Sequence, residues 1–179
     1  MDLKITYIFI VFFVICQRLY ELSLAQKNEK MILSKGGKII TEELNYFFMV
    51  TLHTIWLTLT LYFSFKLDVV DSQVFYYFFA VFIMGQILRV IAIKTLKERW
   101  STRIVILPEV DAVKKGIFNY IRHPNYLGVC LELFALPAMI SRYEVAVIFS
   151  IINGVILYFR IKKEEQCLRE FNNYEKVFS

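Results

Sequence analysis

Residues 122–128 read Arg-His-Pro-Asn-Tyr-Leu-Gly and open an apolar stretch that runs to Ile140. A cation (Arg122), an imidazole (His123), an amide (Asn125) and a phenol (Tyr126) thus stand where a helix can begin. Pro124 fits that first turn because its missing N–H would be unpaired there anyway. The unpaired backbone N–H groups of such a helix start favour an anionic or polar ligand group. A second set of polar residues comes late in the chain. Arg160, Glu164 and Glu165 stand at i, i+4 and i+5, so Arg160 and Glu164 share a helix face. Simpler readings exist for both sets. Tyr126 and Arg122 would serve as interfacial anchors, and Arg160–Glu164 as a surface pair worth tenths of a kcal/mol.

The elements that must position these residues read as membrane helices. Of 179 residues, 58% are hydrophobic and 17% aromatic, and the mean hydropathy is +0.52, beyond an ordinary soluble domain. Apolar blocks fall at about 3–22, 44–65, 74–93, 124–142 and 143–161, near the ~20 residues needed to cross the hydrocarbon core. The first lacks the basic start and small-residue cleavage site of a signal peptide. The expected fold is therefore all-α and integral to a membrane. It has about five transmembrane helices, an ordered loop and a C-terminal helix, the last two on the cytoplasmic side. No repeat or low-complexity segment divides the chain, which reads as one domain, 1–179.

Charge placement gives the orientation. Lys27, Lys30, Lys35 and Lys38 lie between the first two spans. Lys94, Lys97, Arg99, Arg103, Lys114, Lys115 and Arg122 lie between the third and fourth, and Arg160, Lys162, Lys163, Arg169 and Lys176 follow the fifth. The opposite side has Lys4, Lys66 and Arg142. By the positive-inside rule the N-terminus faces out and the C-terminus faces the cytoplasm. The net charge of +5 is thereby a topology signal and not a nucleic-acid surface. Cys16, Cys130 and Cys167 have no CxxC spacing and suggest neither a disulfide framework nor a metal site.

Spans four and five are joined by almost no loop, so they form a hairpin whose ends near 124 and 160 are neighbours. The β-rich strip 102–107 is expected to lie extended over the cytoplasmic mouth, with a turn at Gly116 before the RHPNY segment. One helix is expected to leave the membrane at about Arg160 and continue to about Asn172. Within the spans, Arg89 and Glu132 either pair with each other or face a ligand, since intramembrane charges are costly. His53 reads as a packing residue. Arg18 and Glu21 read as an interfacial i,i+3 pair near the same mouth.

The segments GIFNYIRHPNYLG (116–128) and RIKKEEQCLREFNNY (160–174) resemble the C-terminal core of the isoprenylcysteine carboxyl methyltransferase family. The likeness is good over about 100–174. Upstream, RLYELSLAQKN (18–28), His53, GQILR (85–89) and RWSTRIVILP (99–108) are similar to a bacterial branch that O-methylates alkylpyrones. The resemblance implies methylation by S-adenosylmethionine, bound on the cytosolic side by residues 97–179, of a lipophilic acceptor entering from the bilayer. Residues 1–96 would supply three spans. His123, Pro124, Asn125 and Tyr126 would contact the cofactor, as would Val110, Asp111, Ala112, Val113 and Phe118. Glu164 would bind it from the tail helix, Arg103 lies near a further cofactor position, and Arg160 would orient the acceptor. Arg89 and Glu132 are the remaining candidates for acceptor contacts. Phe118 stands where the family has Tyr, which leaves ring packing without a hydroxyl. Ser141-Arg142 replaces the Asn-Pro of eukaryotic members, which weakens a prenylated-protein acceptor.

No general base is evident, which suits an acceptor already acidic enough to ionise. Alternatives are a phospholipid or other small-lipid methyltransferase, a non-catalytic membrane scaffold, and an NADPH-dependent sterol-type reductase sharing RHPNY. The reductases continue with Glu after the Gly, where this chain has Val129. The oligomeric state is not legible.

Overall fold

A computed structural model describes residues 2–40, 43–67 and 69–178, with the backbone alone for Glu43 and Phe178. The helices are α1 (Leu3–Ser34), α2 (Glu43–Phe65), α3 (Ser72–Leu96), α4 (Pro124–Ala138), α5 (Tyr143–Phe171) and a last turn, α6 (Tyr174–Phe178). Four of them, α1, α2, α3 and α5, are long and apolar enough to cross a membrane. Only 22% of the apolar window of α1 lies inside the protein, and Phe9, Phe12 and Phe13 point outward. Such a surface needs lipid around it. The protein is an all-α integral membrane protein.

The fourth expected span is shorter than its apolar run. Helix α4 has 15 residues, roughly 22 Å at ~1.5 Å per residue, against a hydrocarbon core of about 30 Å. It stops in a Schellman turn, where Arg142 N–H donates to Pro137 O at 3.1 Å and Ser141 takes φ 57°. This helix is enclosed by protein: Leu133, Ala135, Leu136, Ala138 and Met139 are all buried. Pro137 has no N–H to offer the carbonyl of Leu133 four residues back. The indole Nε1–H of Trp56 on α2 donates to that carbonyl at 3.1 Å. Ile140 N–H bonds Pro137 O, and the carbonyl of Leu136 accepts from the Tyr7 hydroxyl of α1 at 2.9 Å. Carbonyls that would otherwise be orphaned in an apolar core thus bind α4 to α1 and α2.

Helix α4 lies closest to α3, where two glycines face each other. A Cβ on Gly128 would stand 2.6 Å from Arg89 Cγ and 2.7 Å from Gly85 O. Gly128→Ala is therefore expected to push the helices apart and cost about 1–3 kcal/mol. Its thermal midpoint in detergent should fall below the parent's; an equal midpoint would show that the contact is loose.

At the basic end, α1 runs on to Ser34, well past the expected limit at Leu22, and turns at Gly36 (φ 85°). It leads into a two-residue strand, β1 (Lys38–Ile39), antiparallel to β2 (Val105–Ile106), with Lys38 opposite Ile106. The strip 102–107 is thus held extended at 104–106, as its β-branched residues suggest, whereas Thr102 and Arg103 form a bend. Asn28 of α1 fixes the start of the same loop by donating to Lys97 O (3.1 Å) and Trp100 O (2.8 Å).

Candidate functional site

The antiparallel placement of α4 and α5 brings their basic-end residues into contact. The Tyr126 hydroxyl donates to Glu164 and accepts from Arg160 Nε at 2.8 Å. Arg160 and Glu164, one turn apart on α5, therefore meet at a phenol on α4. Arg160 also donates to Thr102 O at 2.7 Å and to the Met49 sulfur at 3.5 Å. It thereby joins α2, the extended strip, α4 and α5.

His123 lies parallel to the Tyr126 ring, 5.4 Å between centroids, and its Nε2 is 3.0 Å from Glu165 Oε1. The Tyr174 hydroxyl donates to the same oxygen at 3.3 Å. Helix α5 has 29 residues, roughly 44 Å long at ~1.5 Å per residue, so its part beyond about Ile161 lies outside the hydrocarbon. There, burial pushes the Glu165 carboxyl up, but the His123 hydrogen bond and charge outweigh it and hold the group below the usual carboxylate range. Burial and then the Glu165 charge push the Tyr174 hydroxyl up. An ionised Glu165 can only accept, so His123 Nε2 is the donor.

Around this centre are two kinds of space. On the loop side lie two adjoining hollows of about 90 and 110 Å³, which share Phe118, Arg122, His123, Glu164 and Leu168. The first is lined also by Arg103, Pro124, Asn125 and Tyr126, and the second by Ala112, Val113 and Tyr174. Val110 and Asp111 lie outside both linings. There, Val110 O accepts from Asn172 Nδ2 at 2.5 Å and Asp111 Oδ1 from Asn173 Nδ2 at 2.8 Å. On the other side is a chamber of about 400 Å³ with apolar walls from Ile15, Leu19, Leu57, Leu61, Val129 and Leu157. Trp100, Ser101, Asn125, Tyr126 and Arg160 line both the first hollow and the chamber. They form one partition between a polar cleft and an apolar cavity.

The intramembrane charges form a quartet. Arg89 reaches Glu21 and, at 3.0 Å, Glu132; Arg18 reaches Glu132 and, at 2.9 Å, Glu21. Arg89 and Glu132 do pair with each other, but through a network that ties α1, α3 and α4 together. Arg18, Glu21 and Arg89 line the chamber, whereas Glu132 is fully buried and outside its lining. The quartet is electrically neutral, which lowers the cost of placing four charges there.

The sequence profile of the isoprenylcysteine carboxyl methyltransferase family matches residues 78–170. The chain belongs to that family. It is similar to the uncharacterized protein YpbQ of Bacillus subtilis (strain 168), 32% identical over 158 residues, covering 88% of this chain and 94% of that one. A second relative, an uncharacterized protein of Haemophilus influenzae (strain ATCC 51907 / DSM 11121 / KW20 / Rd), is 29% identical over 152 residues, 84% of this chain and 88% of that one. No solved structure matches.

Isoprenylcysteine carboxyl methyltransferases generally use S-adenosylmethionine, and the polar cleft suits it chemically. Asn125 Oδ1 is buried there with no partner among the described residues, a vacant acceptor for an ammonium or hydroxyl group. Glu164 offers a carboxylate for hydroxyls or cations, and Arg103 a guanidinium for a carboxylate. Three features of the site escaped sequence reasoning. Glu165, adjacent to the expected Glu164, holds His123. The Met49 sulfur accepts from Arg160, and His53 lines the chamber. The doublet Glu164-Glu165 was the available signal for the first; nothing in the sequence marks Met49.

Proposed function

We propose that the protein is an S-adenosylmethionine-dependent O-methyltransferase with a lipophilic acceptor, either an alkylpyrone-like hydroxyl or an isoprenylcysteine-like carboxylate. The observation that carries this reading is the shared partition of Asn125, Tyr126 and Arg160 between the polar cleft and the apolar chamber. A methyl group crossing between a water-soluble donor and a lipid-borne acceptor needs two such compartments meeting at one point.

His123, Asn125, Glu164 and Phe118 would hold the cofactor, with Arg103, Ala112 and Val113 at the cleft's edges. When bound, it supplies an electrophilic methyl group on a sulfonium. Arg160 orients the acceptor oxygen. Among the described residues, one of its terminal nitrogens has only the Met49 thioether as partner, a weak acceptor that an oxygen readily replaces. Tyr126 and Thr102 fix the rest of the guanidinium, so alignment is set before the acceptor arrives. The apolar chamber excludes water and accommodates an alkyl chain delivered by the bilayer. By the positive-inside rule, the cleft faces the cytoplasm.

The test is transfer of labelled methyl from S-adenosylmethionine to long-chain acceptors by the purified protein in detergent. Transfer to a hydroxyl or carboxylate on a long-chain acceptor is expected. Transfer to a phospholipid amine, with none to oxygen acceptors, would replace this reading.

A further inference from the structure

His53 sits on α2 in the wall of the chamber and, among the described residues, makes one polar contact that fixes its chemistry. Its Nδ1 is 2.8 Å from the carbonyl oxygen of Met49, one turn earlier. A carbonyl can only accept, so Nδ1 carries the proton and the lone pair of the neutral ring is on Nε2. The ring is braced edge-on by Trp56, 6.5 Å between centroids at 79°, and Trp56 is itself anchored to Leu133 O. Met49 also links His53 to Arg160, because its carbonyl takes the imidazole N–H while its sulfur takes an Arg160 N–H. An imidazole with its lone pair on Nε2 and a guanidinium are therefore held by one residue, and both side chains line the same apolar space.

We propose that His53 is a catalytic residue that accepts, at Nε2, the hydroxyl proton of an enol or phenol acceptor lying in the chamber. This rests on the methyltransferase reading and narrows it, since a carboxylate acceptor is already ionised and needs no base. The bond that forms is oxygen–methyl and the bond that breaks is methyl–sulfur. The sulfur keeps the electron pair as a neutral thioether, and the hydroxyl proton moves to Nε2, then to water when product leaves. Proton transfer accompanies bond formation, so no free oxyanion has to exist in the apolar chamber. The charged and titratable groups facing this space are Arg18 and Glu21 from α1, Arg89 from α3, Tyr126 from α4 and Arg160 from α5.

The chain has only two histidines, so the imidazole ¹⁵N spectrum separates His53 from His123. With S-adenosylhomocysteine bound, a long-chain 5-alkylresorcinol is expected to move the His53 Nε2 resonance from that of a bare lone pair to a hydrogen-bonded one. His53→Asn retains a donor toward Met49 O. It is expected to bind S-adenosylhomocysteine as the parent does and to lose about 10²-fold in resorcinol methylation at neutral pH. The loss should shrink as pH rises and the phenol ionises unaided. An Nε2 resonance unmoved by the resorcinol, a His53→Asn rate within twofold of the parent, or turnover of carboxylates alone would overturn the proposal. Failure of the parent to bind S-adenosylhomocysteine would instead remove the methyltransferase reading and this inference with it.

Discussion

Glu164→Gln is expected to weaken S-adenosylhomocysteine binding by about 10–100-fold while leaving the fold intact. Hydrogen bonds to charged groups contribute about 1.5–3 kcal/mol, and every ~1.4 kcal/mol is tenfold in affinity. Glutamine keeps an oxygen that accepts from the Tyr126 hydroxyl, so the contact between α4 and α5 survives. What it loses is the negative charge in the wall shared by both hollows of the polar cleft. Calorimetric titration of parent and variant, with circular dichroism and thermal midpoint alongside, separates the two effects. Unchanged affinity would show that the tail helix does not hold the cofactor.

The second large effect is expected in the quartet. Glu132 receives both Arg18 and Arg89 and is fully buried. Glu132→Ala leaves two guanidinium groups with a single carboxylate, Glu21, between them. Stripping one partner from a buried ion pair costs about 3–5 kcal/mol, a large share of the roughly 5–15 kcal/mol that holds a typical domain together. At about 2–4 °C per kcal/mol for a chain of this length, the variant's thermal midpoint should fall by about 6–20 °C, or the variant should fail to leave the membrane as a monodisperse protein. Arg89→Met combined with Glu132→Leu restores neutrality, because Arg18 and Glu21 still pair, at 2.9 Å. That double variant should recover most of the stability. If Glu132→Ala is as stable as the parent, the quartet is not a structural clasp.

Much of the scaffold is legible in the chain because the determinants are local. Long apolar blocks mark the helices of a lipid-facing protein, and the basic segments mark one end. The almost loopless junction between α4 and α5 forces Tyr126 and Arg160 together. The helical spacing of Arg160 and Glu164 puts both on the face that meets Tyr126. The extended part of the strip, 104–106, follows from its β-branched residues, while the bend at Thr102 and Arg103 does not. What the chain hides is long-range. Arg18 and Glu21 read as a local pair, and only the packing of α1 against α3 and α4 joins them to Arg89 and Glu132. Strand β1 has two residues, too few to show an alternation. The early end of α4 is set by the turn after Pro137 rather than by hydropathy, which continues to Ile140. Val110 and Asp111 follow from the family likeness as cofactor residues, yet they are bonded to Asn172 and Asn173 and lie outside the cleft linings. His53 reads as packing because a lone histidine in an apolar helix usually is. Its exposure to a cavity appears only when five helices are assembled.

Titration of the purified protein in detergent with S-adenosylhomocysteine, and with NADPH in parallel, tests the central claim most directly. Saturable binding of S-adenosylhomocysteine without NADPH is the expected result. Binding of NADPH alone, or of neither ligand, would contradict the assignment of the polar cleft as an S-adenosylmethionine site.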